Sequence, residues 1–578
     1  MPVHNADIAR IFEEIAELLE LEDANPFRVR AYRNAARVVG EQRFDIAERL
    51  AQDEALPKLP GIGEDLSAKI KEIAATGSCA LRERLAKRAP AGITELLHLP
   101  GLGPKRVRTL NRELEVHSLA QLVRAAKDGR LRTLSGFGAK TEKTLLDAAL
   151  AQLGTTKRFK LAVAGEYASS LVAYLEKARG VKSVVVAGSY RRMKETVGDL
   201  DILVSAETDT AAQAAMRRFA EYGEVKKVLA QGETRASVVL ASGLQVDLRV
   251  VPRESAGAAL HYFTGSKAHN IALRRMAQAK KLKVNEYGVF RGERRIAGET
   301  EESVYKVFGL PWIPPELRED QGELEAARQG RLPKLVTLED LKGDLHAHTK
   351  ATDGRASLED MAKAAQARGF AYLAITEHSR RVTVAHGLDP QRLARQVAAI
   401  DALNATLKGL TLLKGIEVDI LEDGSLDLPE SALEPLDLVV GAVHSNFKLS
   451  RARQTERILA AMESPFVSIL AHPSGRLIDA REPYDVDMLA IVRKAKAQGI
   501  ALELNAHPER LDLSDVHCRM AKDEGVLVCV SSDAHSIDDF DNLRYGIGQA
   551  RRGWLEKGDV LNTRSLGALK KFLARGRA

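Results

Sequence analysis

The 578-residue sequence predicts a multidomain chain, α+β and α/β, with a helical N-terminal part, a β-rich middle and a β/α barrel at its C-terminal end. Three observations predict it. A short Leu-x-Gly-x-Gly turn recurs at Leu59, Leu99 and Leu134. A pair of aspartates, Asp199 and Asp201, opens the β-prone run ILVSA. From Gly343 to His535, histidines and carboxylates close one short apolar run after another. With 45% hydrophobic residues the chain can build several cores.

The N-terminal turns read LPGIG, LPGLG and LSGFG, and each is followed by a helical run bearing Lys or Arg. This is the pattern of a helix-hairpin-helix unit. Gly61, Gly63, Gly101, Gly103, Gly136 and Gly138 allow tight backbone turns that leave N–H groups at a helix N-terminus free to hold a phosphate, with Lys105 beside the second turn. One Gly-x-Gly turn is commonly a structural cap. Three with apolar flanks point to contact with a DNA backbone, which positions a strand without reading it. The third copy departs from the others, with Ser135 in place of proline.

In the middle, VKSVVVAGS reads as a buried strand ending in Gly188-Ser189-Tyr190-Arg191-Arg192, a turn suited to a triphosphate. Gly198-Asp199-Leu200-Asp201 follows. Residues two apart on a strand share a face at roughly 6.6 Å, so both carboxylates can serve one pair of hard cations. LQVDLRVV supplies Asp247 from a further strand. Asp-x-Asp alone is common on solvated strand ends. Beside Gly-Ser-x-x-Arg and a third aspartate it is more specific, and three carboxylates with two metals are what in-line phosphoryl transfer needs.

Between Pro311 and Lys342 four prolines, high charge and little periodicity suggest a linker. Beyond it stand nine potential ligands: His346, His348, Asp353, His378, Glu417, His444, His472, Asp533 and His535. Runs such as AYLAIT, TLLKGI, LDLVVGAV, FVSILA and VLVCVSS precede them. Barrel enzymes build their sites at strand C-termini, so this arrangement predicts a multinuclear metal site. His507 and Asn505 in ELNAHP end another such run. His507 reads as a surface or substrate-side residue, and Asn505 as a substrate contact or a backbone cap.

The net charge of +7 is compatible with nucleic acid without establishing it. Cys79, Cys518 and Cys529 show no CxxC spacing, which suits a reducing cytoplasm and excludes a disulfide framework. No stretch reaches the length of a membrane span, and the N-terminus reads as a helix rather than a signal peptide.

The Gly-Ser-x-x-Arg and Gly-Asp-x-Asp motifs resemble the nucleotidyltransferase superfamily that includes DNA polymerase beta. His261-Tyr262-Phe263-Thr264-Gly265-Ser266, Asn270, Arg274 and VNEYGVF resemble the thumb of the X-family DNA polymerases. With Asp344-Leu345-His346-Ala347-His348 and Ser532-Asp533-Ala534-His535 included, the whole chain resembles bacterial X-family polymerases that carry a polymerase and histidinol phosphatase (PHP) domain. The resemblance implies helix-hairpin-helix domains over 1–90 and 91–155, a palm over 156–252, a thumb over 253–315, a linker over 316–340 and a distorted seven-stranded barrel over 341–578.

The resemblance also implies roles. Asp199, Asp201 and Asp247 would hold two Mg²⁺ or Mn²⁺, with Asp247 nearest the primer 3′-hydroxyl as general base. Gly188, Ser189, Arg192 and Gly198 would serve the triphosphate; Tyr262, Phe263 and Gly265 the sugar; Asn270 the base; and Arg274 the templating side. Up to three Mn²⁺, Zn²⁺ or Fe²⁺ would sit in the barrel. His346, His348, Glu417 and Asp533 would form one set, Glu417, His444 and His472 a second, and Asp353, His378 and His535 a third. Lys69 falls where some relatives form a Schiff base with an abasic sugar. Asp65, one turn earlier, would raise its pKa, so a phosphate contact or a solvated helix residue is the favoured reading. The expected enzyme is a cytoplasmic monomer that fills short gaps in gapped or nicked DNA from dNTPs. Its second site would act as a 3′-5′ exonuclease, an end-processing activity or an AP endonuclease. Two alternatives stay open: a template-independent transferase fused to a small-molecule phosphatase, and a DNA-end scaffold with one silent site.

Overall fold

The structure, a computed structural model, describes residues 3–574 apart from 4, 23, 41, 43–45, 52–55, 57, 58, 90–92, 98, 100 and 155–157. Pro100 of the second turn and the domain boundaries expected at 90–91 and 155–156 lie outside the described residues. The chain divides into two compact units. One comprises residues 1–159, 163–184 and 198–250; the other comprises 160–162, 185–197 and 251–578.

The first unit begins with helices Asn5–Leu21 and Pro26–Gly40. Ile8, Ile11, Phe12, Ile15 and Leu19 recur at helical spacing and are buried, which places one stripe of the first helix in the core. All three glycine turns adopt one geometry. Gly61, Gly101 and Gly136 have φ of 70°, 87° and 85°, the left-handed region where a side chain is strained. The residue after each donates its N–H back to Leu59, Leu99 or Leu134. The second glycine then leads into a helix: Glu64–Thr76, Pro104–Leu114 or Ala139–Gly154. Ser135 does not disturb the third copy, because the glycines carry the turn. Arg106 donates to the carbonyls of Gly101 and Gly136, joining the second and third turns.

A five-stranded sheet follows, made of β1 (Val181–Val186), β2 (Asp199–Ala206), β3 (Val225–Gln231), β4 (Arg235–Leu240) and β5 (Gln245–Pro252). Its order is β1-β2-β5-β4-β3, with β3, β4 and β5 antiparallel in sequence and Ser237 opposite Asp247. The two aspartate-bearing strands, β2 and β5, are therefore neighbours.

The second unit carries helices Ala256–Thr264 and Lys267–Ala279, a three-stranded sheet of β6 (Lys283–Asn285), β7 (Gly288–Arg291) and β8 (Arg294–Ala297), and helix Glu301–Val307. The barrel strands are β9 (Gly343–Asp344), β10 (Tyr372–Ile375), β11 (Thr411–Asp419), β12 (Leu438–Ala442), β13 (Val467–Leu470), β14 (Ala501–Asn505) and β15 (Val528–Ser531). They are parallel and pair in chain order. Beyond the strand ends, Ala347 bridges Ala534 and the His348 N–H donates to the Ala534 carbonyl, so the first and last strands meet. Near-continuous runs of Val, Ile, Leu and Ala are what a parallel sheet buried on both faces requires.

Residues 316–340, read from composition as a linker, are folded. They include helix Glu323–Arg328, and Leu317, Ala327 and Leu335 share a core with Ile313, Tyr305 and Trp554. Two of their charges, Arg318 and Glu323, are inside rather than solvated. Arg318, fully buried, donates to Glu301 at 2.6 Å, and Glu301 also receives Arg191 at 2.8 Å and Trp312 Nε1 at 3.0 Å. Glu323 accepts from the buried His269 ring at 2.6 Å. Burial opposes the charge on Glu301, but Arg191 and Arg318 outweigh it and hold its carboxyl well below the usual range. Its contribution is present above the unfolded pKa and lost as pH falls. Arg318→Ala leaves a buried carboxylate short of a partner and should destabilise by about 3–5 kcal/mol. Hydrogen exchange should show the Glu301–Val307 amides opening at lower cost; unchanged protection would refute the role given to this pair.

Candidate metal centre and nucleotidyl site

The nine expected ligands gather at one rim of the barrel. His346 and His348 follow β9, His378 follows β10, Glu417 lies near the end of β11, and His444 and His472 follow β12 and β13. Asp533 and His535 follow β15, while Asp353 comes from the loop after His348. Parallel strands in sequential order carry every strand end to the same side, which is why distant residues meet.

Glu417, 1% exposed, is the common neighbour. Its Oε1 lies 3.2 Å from His444 Nε2 and 3.1 Å from His472 Nε2, and its Oε2 lies 2.6 Å from His378 Nδ1 and 3.6 Å from His346 Nε2. Asp533 Oδ1 is 3.2 Å from His348 Nε2. Asp353 stands 3.5 Å from His378 Nε2 and 3.4 Å from His535 Nε2. His346 Nε2, His348 Nε2, His378 Nδ1 and Glu417 Oε2 are buried without a hydrogen-bond partner. Converging imidazole and carboxylate lone pairs that do not satisfy one another fit divalent cations. Among the described residues three groups have ligand atoms within 4.8 Å of one another: His348, Asp353, His378 and His535; His346, His348 and Asp533; and His378, Glu417 and His444. These overlap the expected sets without reproducing them. His348 and His378 each join two groups, and His472 stands beside Glu417 outside the tight groups.

The electrostatics follow from this crowding. Burial and the neighbouring His535 and His378 push His348 down to about 3. Burial also opposes charge on His378, but Glu417 and Asp353 raise it to about 10. Glu417 is held well below the carboxylate range despite burial, by His444, His378 and His346.

A second layer of carboxylates, which motif reading passed over, orients the ligands. Glu503, fully buried on β14, accepts from His346 Nδ1 at 2.6 Å and from the His472 N–H at 2.8 Å. Asp419 accepts the His444 N–H at 3.1 Å. Asp344 accepts from the His346 and Ser532 backbones. Asn505 donates to Asp533 at 2.9 Å, so its amide serves a ligand. His507 accepts from the Glu509 N–H at 3.3 Å and is in none of the three ligand groups. The available signal was a charge inside an otherwise apolar strand, as in ALELN.

The nucleotidyl residues are less enclosed. Asp199 and Asp201 open β2 and Asp247 lies on β5, all half-buried. Burial, then the Asp247 charge, raises the Asp199 carboxyl. Asp247 is held by Ser237 Oγ and by Gln245 Nε2 at 3.0 Å. The three aspartates are not among the groups with ligand atoms within 4.8 Å. In the second unit, Gly188, at φ 61°, begins the turn Gly188–Arg191. Arg192 donates to the Thr264 carbonyl at 2.7 Å and to Glu319 Oε1 at 2.9 Å, and Glu319 Oε1 also accepts from Arg552 at 3.0 Å. Met193 packs so closely on Gly548 that a Cβ there would lie 2.4 Å from its Cε. Tyr262 and Phe263 meet edge to face at 5.2 Å and are half-buried. Asn270 donates to the Tyr262 carbonyl at 2.6 Å, leaving its Oδ1 buried without a partner, and its side chain fills the space a Cβ at Gly265 would need. The Arg274 guanidinium stands 6.0 Å from the Tyr262 ring. Lys69 is paired with Asp65, and although burial lowers it, Asp65 and Tyr32 raise its pKa overall. Gly63 and Gly103 cap their helices with no side-chain hydrogen bond, leaving first-turn N–H groups open, and Lys105 follows in the second.

Comparisons with known proteins match five families: a helix-hairpin-helix domain over residues 3–79, a SAM-like helix-hairpin-helix tandem over 93–149, the DNA polymerase beta palm over 164–249, the DNA polymerase beta thumb over 259–319 and the PHP domain over 344–507. The DNA polymerase/3′-5′ exonuclease PolX of Bacillus subtilis (strain 168) is 38% identical over 581 residues, covering 99% of this chain and 100% of that protein. A "probable phosphatase" of Thermoanaerobacter sp. (strain X514) is 29% identical over 242 residues, 40% of this chain and 93% of its own length. Another, from Acetivibrio thermocellus, is 30% identical over 201 residues, 33% of this chain and 78% of its own length.

Glu503→Gln should keep the barrel folded but weaken metal binding by roughly 10–100-fold, because the ring orientation of His346 is no longer fixed. Metal titration of the full chain checks this; unchanged affinity would remove Glu503 from the site.

Proposed function

The chain belongs to the bacterial X-family DNA polymerases that carry a PHP domain, and from that premise we propose that it fills short gaps in DNA at one site and trims the same 3′ end at the other. The observation that carries this reading is the likeness over 99% of the chain to a protein whose name joins a DNA polymerase with a 3′-5′ exonuclease. Divalent cations held by Asp199, Asp201 and Asp247 in the palm, and by the nine ligands in the barrel, supply charge neutralisation and Lewis acidity. Mg²⁺ or Mn²⁺ suits the all-carboxylate palm, and imidazole with carboxylate suits Mn²⁺, Zn²⁺ or Fe²⁺ in the barrel.

The remaining work falls to the chain. The helix starts after Gly63 and Gly103, with Lys105 and the third glycine turn, hold the phosphates flanking a gap. Gly188, Ser189, Gly198 and Arg192 bind the triphosphate, and Arg192 exchanges Glu319 and the Thr264 carbonyl for phosphate oxygens. Tyr262, Phe263 and Gly265 form the wall against the sugar, Asn270 offers its unpartnered Oδ1 to the base, and Arg274 faces the template. Asp247, held by Ser237 and Gln245, accepts the proton of the primer 3′-hydroxyl as that oxygen bonds to the α-phosphorus and pyrophosphate leaves. Lys69, kept protonated by Asp65, is a phosphate contact rather than a Schiff-base nucleophile. The likeness of the barrel to "probable phosphatases" favours a second use, removal of blocking phosphate groups from the 3′ end. The three cysteines are buried and free, in keeping with a reducing cytoplasm, and we place the enzyme there as a monomer. Among the described residues no helix is long and apolar enough to cross a membrane.

Asp247→Ala should abolish primer extension and leave 3′ degradation intact, whereas His346→Ala should do the reverse. A labelled primer in a one-nucleotide gap, with Mn²⁺ and with or without dNTPs, reads both. If either substitution removes both activities, the two-site reading fails.

A further inference from the structure

The ligands do not complete the lining of the pocket above them. This pocket, about 260 Å³, is also walled by Val382, Val384 and Ala385 and by Arg510, the one Lys or Arg in its lining among the described residues. The Arg510 guanidinium is engaged on one side only. Its Nε lies 3.8 Å from Asp533 Oδ2, while its Nη1 is buried with no hydrogen-bond partner. Leaving such a donor unmatched costs about 1–3 kcal/mol, and more when it is charged. Neutralising Asp533 does not account for it. That carboxylate already accepts from Asn505 and faces His348, and 3.8 Å is beyond hydrogen-bond length.

The backbone bearing Arg510 is pinned from several directions. Asn505 and Asp512 exchange main-chain hydrogen bonds, and the Arg510 N–H donates to the His507 carbonyl at 2.8 Å. The Asp512 carboxylate accepts from the Ser474 N–H at 3.0 Å, and Arg476 Nε donates to the Arg510 carbonyl at 2.9 Å. Leu511 is held at φ 41°, a conformation a leucine keeps only when its surroundings impose it. A fixed loop thus holds in the wall of the metal pocket an arginine with one donor unmatched.

We propose that Arg510 is a catalytic residue of the barrel site, its guanidinium donating to a non-bridging oxygen of the scissile phosphate. The assignment rests on the phosphoesterase reading above. In the step it serves, a water oxygen bonds to phosphorus and the bond from phosphorus to the penultimate 3′-oxygen breaks. The proton released by the water ends on that oxygen. The products are a nucleoside 5′-monophosphate and a strand one residue shorter with a free 3′-hydroxyl. Negative charge grows on the non-bridging oxygens on the way, and a preorganised guanidinium beside them stabilises it. Val382, Val384 and Ala385 form the apolar side of the same pocket, against which a nucleoside can pack; Val384 is 91% exposed.

The test uses full-length Arg510→Met and Arg510→Lys variants beside the parent, all loaded with Mn²⁺. Manganese per chain, calorimetric binding of inorganic phosphate, and hydrolysis of both a 3′-labelled single strand and p-nitrophenyl phosphate are measured. Arg510→Met should keep the parent's manganese content, weaken phosphate binding at least about tenfold and lower kcat/KM for both substrates about 100-fold. Arg510→Lys should recover part of each loss, since it restores the charge without the fork. Loss of manganese in Arg510→Met would overturn the proposal, because the arginine would then serve Asp533. So would phosphate affinity and kcat/KM within about threefold of the parent. A parent that hydrolyses the small ester but not DNA would sink the exonuclease reading alone, and the phosphate affinities would still decide the role of Arg510.

Discussion

Glu417 is a carboxylate out of reach of water, with imidazoles from four different strand ends around it. An isolated buried charge of this kind is costly, and imidazoles crowded together cannot all be protonated to relieve it. His348, driven down to about 3, and His378, driven up to about 10, have ring centroids only 4.4 Å apart. The barrel is organised around that tension. Its strands are short, parallel and sequential, so each contributes one or more polar side chains at the rim and mostly apolar side chains below. Glu503, Asp419 and Asp344 sit one layer further out and take up the ring and backbone N–H groups that the ligands leave over. The polarity of the site is nested, and cations at its centre complete it.

The palm solves a related problem with less enclosure. Its aspartates are half-buried on neighbouring strands and do not form a tight ligand group. A site that must admit a primer end and a triphosphate, then release pyrophosphate, needs that openness. A site built from a buried carboxylate and converging imidazoles does not.

Much of this was legible because most of the ligands follow apolar runs, so that one-dimensional order already implies a common rim. The glycine turns were legible for a similar reason, since backbone geometry depends on a few residues in sequence, and Ser135 made no difference to it. What stayed hidden depends on pairs far apart in the chain. Arg318 and Glu323 looked like solvated linker charges until their buried partners Glu301 and His269 were in place. Glu503 and Arg510 lie outside any ligand spacing and gain meaning from His346 and Asp533, which reach them only through the closed barrel. Spacing along a chain says which residues reach the rim and not which of them lie closest together.

Glu319 accepts from Arg192 of the nucleotide turn and from Arg552 of the last long barrel helix, and Met193 rests where only a glycine at 548 leaves room. Within the second unit the turn at 188–193 and the barrel therefore have no clean seam. Cutting the barrel away would strip the turn of part of its support, and cutting the turn away would leave Arg552 and the groove at Gly548 bare. A shortened chain is accordingly a different molecule rather than one half of this one. Point substitutions within the intact chain, and not dissection, are the sound way to apportion its two activities.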